Sequence, residues 1–370
     1  MKTILYFQST GKIAARQKLE GVYGYAKAHD VDVQVIEPSV TERRAAMLLE
    51  FWKPDGAIVE CGAECNLFDP RVFDGIPVVF LDRDRKALPH SVLCVTHDSV
   101  ATAHMAAREL LRLNLPAYAY VPWVRPRFWS KDREKGFREA LALNSRGYSR
   151  FTEPSDASNL RTLQRNLRHW LETLPTPVGI FAANDFMSAQ VAAAASRIGR
   201  SIPGDIALIG VDNDELLCEN TKPTLSSIMP NFREAGQKAA ELLERAAAGR
   251  STKATSDTFG PLQLVRRAST SRFHGADAEV SAALELIRRK ACSGLKARDV
   301  FSCFSCTRRM AEIRFRNATG LSPLQAILQN RRTKADELIS NRGLSRSFIA
   351  SQCGYSSASS LGKFLSKFSS

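Results

Sequence analysis

The chain of 370 residues is too long for one ordinary domain, and its 44% hydrophobic and 24% charged residues exclude peptide-sized, fibrous and disordered classes. Two or three compact units are expected. Its net charge is +14, and residues 273–370 hold 16 basic and 7 acidic residues, a concentrated positive field suited to a polyanion such as nucleic acid, although an anionic membrane or solubility alone also accounts for it.

In chain order, residues 2–7, 31–36, 56–60, 77–81 and 92–96 are short, β-rich apolar runs bounded by turn residues, which predicts buried strands. Residues 14–28 and 41–51 between them carry helical spacing. Strands spaced by roughly 20 residues must be joined by crossovers, and crossovers give a parallel sheet with helices on both faces. The theme returns with strands at 117–121, 178–182 and 206–211 and helices at 131–143, 185–197 and 231–247, where the alanines of 192–195 suit close helix–sheet packing. Two α/β lobes in series predict a ligand cleft at the carboxyl ends of their strands. Residues 268–275 read as a linker. From 279 to 370 the pattern is almost wholly helical, with Asp277 as an expected N-cap and Gly294 as an expected C-terminal cap.

Signatures of catalysis fail one by one. Ser9-Thr10-Gly11-Lys12 is not a phosphate loop, because Tyr6 stands where the motif needs glycine and Ile13 where it needs Ser or Thr. No GxGxxG follows a strand, and GxSxG and HExxH are absent. Cys303/Cys306 and Cys61/Cys65 lack a second pair of ligands and read as small thiols; the six histidines do not cluster, and His97 and His104 read as packing or surface groups on a helix. No metal, cofactor or catalytic set is expected. Eight scattered cysteines without a secretory leader or a long apolar run predict reduced thiols in a cytoplasmic protein without a membrane partner.

Asn184-Asp185 and Asp212 stand at the ends of two predicted strands, where amides and carboxylates suit a polyhydroxylated ligand. Asp185 has a second reading, as the cap of the helix it begins. The run from Pro177 to Leu243, with Asn184-Asp185, Ile209-Gly210-Val211-Asp212 and Thr224-Leu225-Ser226-Ser227-Ile228, resembles the effector domain of LacI/GalR-type regulators, related to periplasmic sugar-binding proteins. The likeness spans residues 1–272, including Pro54-Asp55-Gly56, Ile76-Pro77-Val78-Val79, Val95-Thr96-His97-Asp98 and Arg133-Glu134-Lys135-Gly136-Phe137. It implies an α/β two-lobed, periplasmic-binding-protein-like domain with sugar contacts from Asp98, Arg133, Asn184 and Asp212, and Asp185 nearby. That family's N-terminal DNA-binding helices and hinge are not matched, since the first strand begins at Lys2.

The last part matches itself at an offset of 49: Leu295 falls on Leu344, Val300 on Ile349, Ser302 on Ser351, Ser305 on Gly354 and Phe315 on Phe364. Each copy is a short helix, a tight turn and a second helix. Residues 344–357 resemble the second helix-turn-helix of AraC-type activators, and Thr307-Arg308-Arg309, Glu312 and Phe315 resemble the first. Residues 276–370 are thereby read as an all-α double helix-turn-helix domain that binds double-stranded DNA. Ser305 replaces the usual glycine of the first turn, and the chain stops at Ser370, short of that family's closing helix.

In the first copy Ala311 and Phe315 lie four apart and pack inward, which leaves Arg309, Glu312 and Ile313 for the major groove. Arg309 suits guanine O6/N7, Glu312 suits cytosine N4, and Arg308, Arg314 or Arg316 suits phosphate. In the second copy the matching face is Ala358, Ser359, Gly362 and Lys363, expected to make mainly phosphate contacts.

The joined architecture resembles the xylose-responsive activators of bacteria, through Trp129-x-x-x-Arg133, Leu174-Pro175, Val211-Asp212-Asn213-Asp214-Glu215 and Ala291-Cys292-Ser293-Gly294-Leu295-Lys296. That resemblance implies a transcriptional regulator, an activator by the same likeness, controlled by a small sugar effector, D-xylose or a related pentose; the residues themselves leave activator or repressor open. It also implies a homodimer that recruits RNA polymerase. The rival reading is a cytoplasmic sugar sensor whose helical tail binds a protein.

Overall fold

The computed structural model describes residues 2–62, 66–144, 147–152, 159–249, 255–271, 278–319, 321–339 and 345–366. It divides into two compact units, Met1–Thr270 and Ser271–Ser370. The first unit begins β1 (Lys2–Phe7), α1 (Ile13–Ala28), β2 (Val31–Ile36), α2 (Glu42–Trp52), β3 (Gly56–Glu60), β4 (Val78–Leu81) and β5 (Leu93–His97). It continues α3 (Ser99–Arg112), β6 (Ala117–Val121), α4 (Phe128–Ala142), β7 (Tyr148–Arg150), α5 (Leu160–Thr173), β8 (Val178–Ala182) and α6 (Asp185–Arg197). It closes with β9 (Ile206–Val211), α7 (Glu215–Asn220), β10 (Ser226–Pro230), α8 (Phe232–Ala247), β11 (Ser256–Phe259) and β12 (Pro261–Val265).

These strands form two sheets, ordered β11-β5-β4-β3-β1-β2 and β12-β10-β9-β8-β6-β7. All their pairings are parallel except β10 with β12. The central strands β3, β4, β8 and β9 read as nearly unbroken apolar runs because helices cover both faces. In the first lobe, Val22 of α1 and Ala235, Ala239 and Leu243 of α8 close one face, while Ala45, Phe68 and Phe73 close the other. In the second lobe, Leu163, Leu167 and Leu171 of α5 with Ala192, Ala194 and Ala195 of α6 face Ala103, Ala107, Leu110 and Phe137 across the sheet. Helices α5 and α7 and strands β7, β10, β11 and β12 go beyond the predicted elements, and the helix expected under His104 is α3. His97 ends β5 instead of lying on a helix.

The chain passes between the lobes three times, at Asp98, Asn231 and Gly260, and the passes lie side by side. Asp98 N donates to Phe259 O at 2.8 Å, and Asn231 N donates to Gly260 O at 3.0 Å. The expected linker is shortened at its start. Ala268–Thr270 forms a short 3-10 turn fastened to the second lobe, where Ser269 Oγ donates to Leu208 O at 2.6 Å and accepts from Ser226 N at 2.8 Å. Residues 272–277, including the expected cap Asp277, lie outside the described residues.

The second unit is helical: α9 (Ala278–Lys290), α10 (Ala297–Val300), α11 (Arg308–Thr319), α12 (Pro323–Ile339), α13 (Arg346–Gln352) and α14 (Ala358–Ser366). Val280, Ile287, Val300, Ala311, Phe315 and Ile327 build one core. Ala335, Ile349, Ala350, Cys353, Leu361 and Phe364 build another, so α12 supplies both. Gly294 ends the short turn Ala291–Ser293 that follows α9, not α9 itself. Gly354, in the turn between α13 and α14, adopts φ +76°, and a methyl there would stand 2.6 Å from Cys292 O, so both backbone conformation and space require glycine.

Candidate functional site

A cavity of about 810 Å³ opens between the lobes of the first unit, lined from the strand ends. Ser9 follows β1, Glu60 ends β3, Asp82 follows β4 and His97 ends β5; Trp123, Asn184 and Asp212 follow β6, β8 and β9. Trp129 and Arg133 come from α4, Phe186 from α6, Phe232 from α8 and Lys18 from α1.

Two charged assemblies face this space. Lys18 is buried, and its ammonium donates to Glu60 Oε1 at 3.0 Å and to the Asp82 carboxylate, 5.4 Å from the centroid of the Phe232 ring. Glu60 Oε2 also accepts from Ser9 N at 3.0 Å. Although burial opposes the charge on Lys18, the two carboxylates outweigh it and hold its pKa above the ordinary lysine value. Opposite, Arg133 lies 4.8 Å over the Trp129 ring and donates to Ala183 O and, at 3.1 Å, to His97 Nδ1. Its Nε is buried and has no partner among the described residues.

His97 stays neutral, because burial, Arg133 and Lys18 all push its pKa well below the usual value. With Nδ1 accepting from Arg133, its Nε2 donates to Thr102 Oγ1 at 2.9 Å, and that hydroxyl donates to Asp98 O at 3.0 Å. Arg133 is thereby joined through His97 to one of the passes between lobes.

Asp212 has φ +109° and Asn213 φ +50°, two adjacent non-glycine residues in disfavoured backbone. Three bonds hold this turn: Asp212 N to Ile228 O at 2.9 Å, Asn213 N to Ser227 Oγ at 3.0 Å, and Asp214 N to Asp185 Oδ2 at 2.8 Å. The turn brings the Asp212 carboxylate to the cavity wall. Burial raises its pKa, with Arg133 and Lys18 opposing the rise.

Of the five candidate ligand-site residues, the four expected sugar contacts and Asp185 nearby, three line the cavity: Arg133, Asn184 and Asp212. Asn184 spends its Oδ1 on Met187 N at 3.0 Å as the cap of α6, which leaves its amide nitrogen for the cavity. The other two are placed differently. Asp98 accepts from Ala101 N at 2.8 Å as the cap of α3, in the first pass between lobes. Asp185 is buried behind the wall and supports the Asp212 turn; the capping reading belongs to Asn184. Lys18, Glu60, Asp82, His97, Trp123 and Phe186 are not singled out as site residues by the sequence; all but Lys18, which lies inside α1, share the signal of position at or beside strand ends.

Burial and the neighbouring Asp212 raise the pKa of Asp185. Between the unfolded aspartate value, about 3.9, and the elevated folded value, the native state holds a proton that the unfolded chain has released. Stability is therefore full below the unfolded value and falls as pH rises through the folded one. Asp185→Asn is expected to flatten the decline between pH 5 and 8 in denaturant unfolding, leaving the falling contribution of Asp212 and, below the unfolded histidine value of about 6.5, the rising contribution of His97. Equal slopes in the two proteins would contradict this.

In the second unit, Ala311 and Phe315 are buried while Arg309, Glu312, Ile313 and Arg316 are exposed along one face of α11. On α14, Ser359, Gly362 and Lys363 are exposed and Leu361 and Phe364 buried. Arg308 lies 5.2 Å over the Phe301 ring. Arg314 departs from its expected phosphate role: its guanidinium donates to Glu279 Oε2 at 2.6 Å and lies 5.5 Å over Phe304, turned into the bundle. Ser305, where glycine was expected, gives both its N–H (2.9 Å) and its hydroxyl (2.5 Å) to Glu279 Oε1. That carboxylate ties the turn to α9 and α11.

Among the described residues, no group of three or more His, Cys, Asp or Glu is placed to hold a metal, and no helix is long and apolar enough to cross a membrane.

Residues 107–270 match the model of the periplasmic binding protein-like domain. The chain is similar to the xylose operon regulatory protein of Escherichia coli K12, 26% identical over 96% of this chain and 91% of that protein. The protein of the same name from Haemophilus influenzae is 28% identical over 73% of this chain and 70% of its own length. A solved structure of a xylose-binding transcription activator superposes with a TM-score of 0.64 at 24% identity, covering 100% of this chain and 96% of that one. The first unit thus has the two-lobed periplasmic-binding-protein-like fold, followed by a helical C-terminal unit, and the chain is similar to the xylose operon regulatory protein over nearly its whole length.

Proposed function

We propose that this chain is a sugar-responsive, DNA-binding transcriptional regulator, in which residues 1–272 take a pentose such as D-xylose and residues 276–370 bind double-stranded DNA. The observation that carries the reading is the cavity wall. Trp123, Trp129 and Phe186 offer flat apolar faces for the C–H side of a sugar ring, while Asp212, Arg133 and Asn184 offer an acceptor and donors for its hydroxyls. The names of its relatives support the same reading. Closure about the passes at Asp98, Asn231 and Gly260 is the equilibrium that the sugar biases, through its different affinity for the two states. A cytoplasmic homodimer reading repeated half-sites and recruiting RNA polymerase completes the proposal, with the sugar bound and not turned over.

A melting screen against aldoses tests the first half, since ligand at about 100 times its Kd adds about 2.7 kcal/mol. A pentose is expected to raise the melting temperature; a panel without effect contradicts the assignment.

The second half predicts unequal readers. Arg309→Ala is expected to lose about 1–3 kcal/mol of binding and relax preference at one or two base pairs. Lys363→Ala is expected to weaken all sequences alike and to lower the salt slope by about one unit. Binding-site selection followed by salt titration separates them. A changed selected site with Lys363→Ala and an unchanged one with Arg309→Ala would reverse the assignment.

A further inference from the structure

On the exposed side of α11 two apolar residues stand among charged ones, Met310 at the flank and Ile313 within the face. Ile313 is 43% exposed and lies between Arg309 and Arg316 at helical spacing, with Glu312 adjacent. The two inward positions, Ala311 and Phe315, already complete the core on the far side of the helix. A branched aliphatic group held in water among charged neighbours gains nothing in the free protein, and burying it against an apolar surface is favourable.

In the major groove the base edges present nitrogen and oxygen donors and acceptors and one apolar group, the C5 methyl of thymine. The unit carrying Ile313 has a positive excess of charge, and Arg309 and Arg316 flank it, so the surface it meets is a polyanion.

We propose that Ile313 reads a thymine by packing on its C5 methyl, beside the base pairs addressed by Arg309 and Glu312. Resting on the DNA-binding reading above, this adds a specificity determinant that forms no hydrogen bond. Met310, 49% exposed, lies at the flank of the same face and is not required for it.

The test uses the full-length protein and the duplex obtained by binding-site selection. Each thymine is replaced in turn by uracil, which keeps every hydrogen-bonding group and lacks only the methyl. For the wild type, one replacement within the half-site is expected to weaken binding about fourfold, the effect of one buried methyl group. Ile313→Ala is expected to bind thymine and uracil duplexes equally at that position, while Ile313→Val keeps part of the preference. Because the side chain is exposed, both variants are expected to melt with the wild type. If every uracil replacement leaves wild-type binding unchanged, or if Ile313→Ala keeps the full preference, the inference fails and DNA binding stands. Failure to select any duplex overturns the DNA-binding reading and this inference together.

Discussion

Replacing Gly236 with alanine is expected to destabilise the first unit by about 3 kcal/mol and to weaken sugar binding with it. Gly236 of α8 and Gly21 of α1 lie against each other's helix: a methyl at 236 would overlap Lys18 O, and one at 21 would overlap Arg233 O. Backbone atoms cannot rotate aside as a long side chain does, so the two helices must part. Helix α1 delivers Lys18 to Glu60 and Asp82, and parting the helices draws the ammonium away from both. Gly24→Ala is the control. It lies on α1 with nothing within 4 Å of the added methyl, so helix propensity favours the change. Denaturant unfolding and calorimetric titration compare the variants, and equal midpoints for Gly236→Ala and Gly24→Ala would refute the close-packing argument.

Asp212→Ala is expected to lower sugar affinity by about 1.5–3 kcal/mol, roughly 10- to 150-fold, as for the loss of a hydrogen bond to a charged group. Its effect on stability is expected to be small. The carboxylate is held at the cavity wall against the cost of burial, and its removal relieves that cost while alanine at φ +109° adds strain of similar size. The variant should therefore separate binding from folding: weaker heats with the preferred sugar, and melting close to wild type. Unchanged affinity would remove Asp212 from the binding set.

Two conditions decide which of these features are visible in the amino-acid sequence. Parallel strands buried on both faces read as continuous apolar runs, so β1, β3, β8 and β9 are legible from their residues alone. Helix α5 was legible in principle through Leu163, Leu167 and Leu171, whose four-residue spacing marks one face. Lys18 was not, because its partners lie 42 and 64 residues away and a lysine on an amphipathic helix ordinarily faces water. The strand-end rule finds Asn184 and Asp212, whereas Asp98, expected from the resemblance alone, follows a strand that leads into a pass between lobes, and its carboxylate caps α3. Arg314 was misplaced for a related reason: charge alone suggests phosphate, whereas Glu279 and Phe304 turn it inward. Glu279 also fills the place left by the missing turn glycine, through two hydrogen bonds from Ser305.

In the proposed regulator, sugar in the first unit governs DNA binding by the second, and one equilibrium measurement addresses that coupling. A fluorescent duplex carrying the selected site is titrated with full-length protein at fixed salt, with and without saturating pentose. A coupling of about 1–3 kcal/mol, a 5- to 150-fold change in Kd, is expected with D-xylose or a related pentose, and at a sugar concentration near the wild-type Kd Asp212→Ala should remove most of the effect that wild type shows. Identical DNA affinity with and without a pentose that calorimetry shows to be bound would contradict the account.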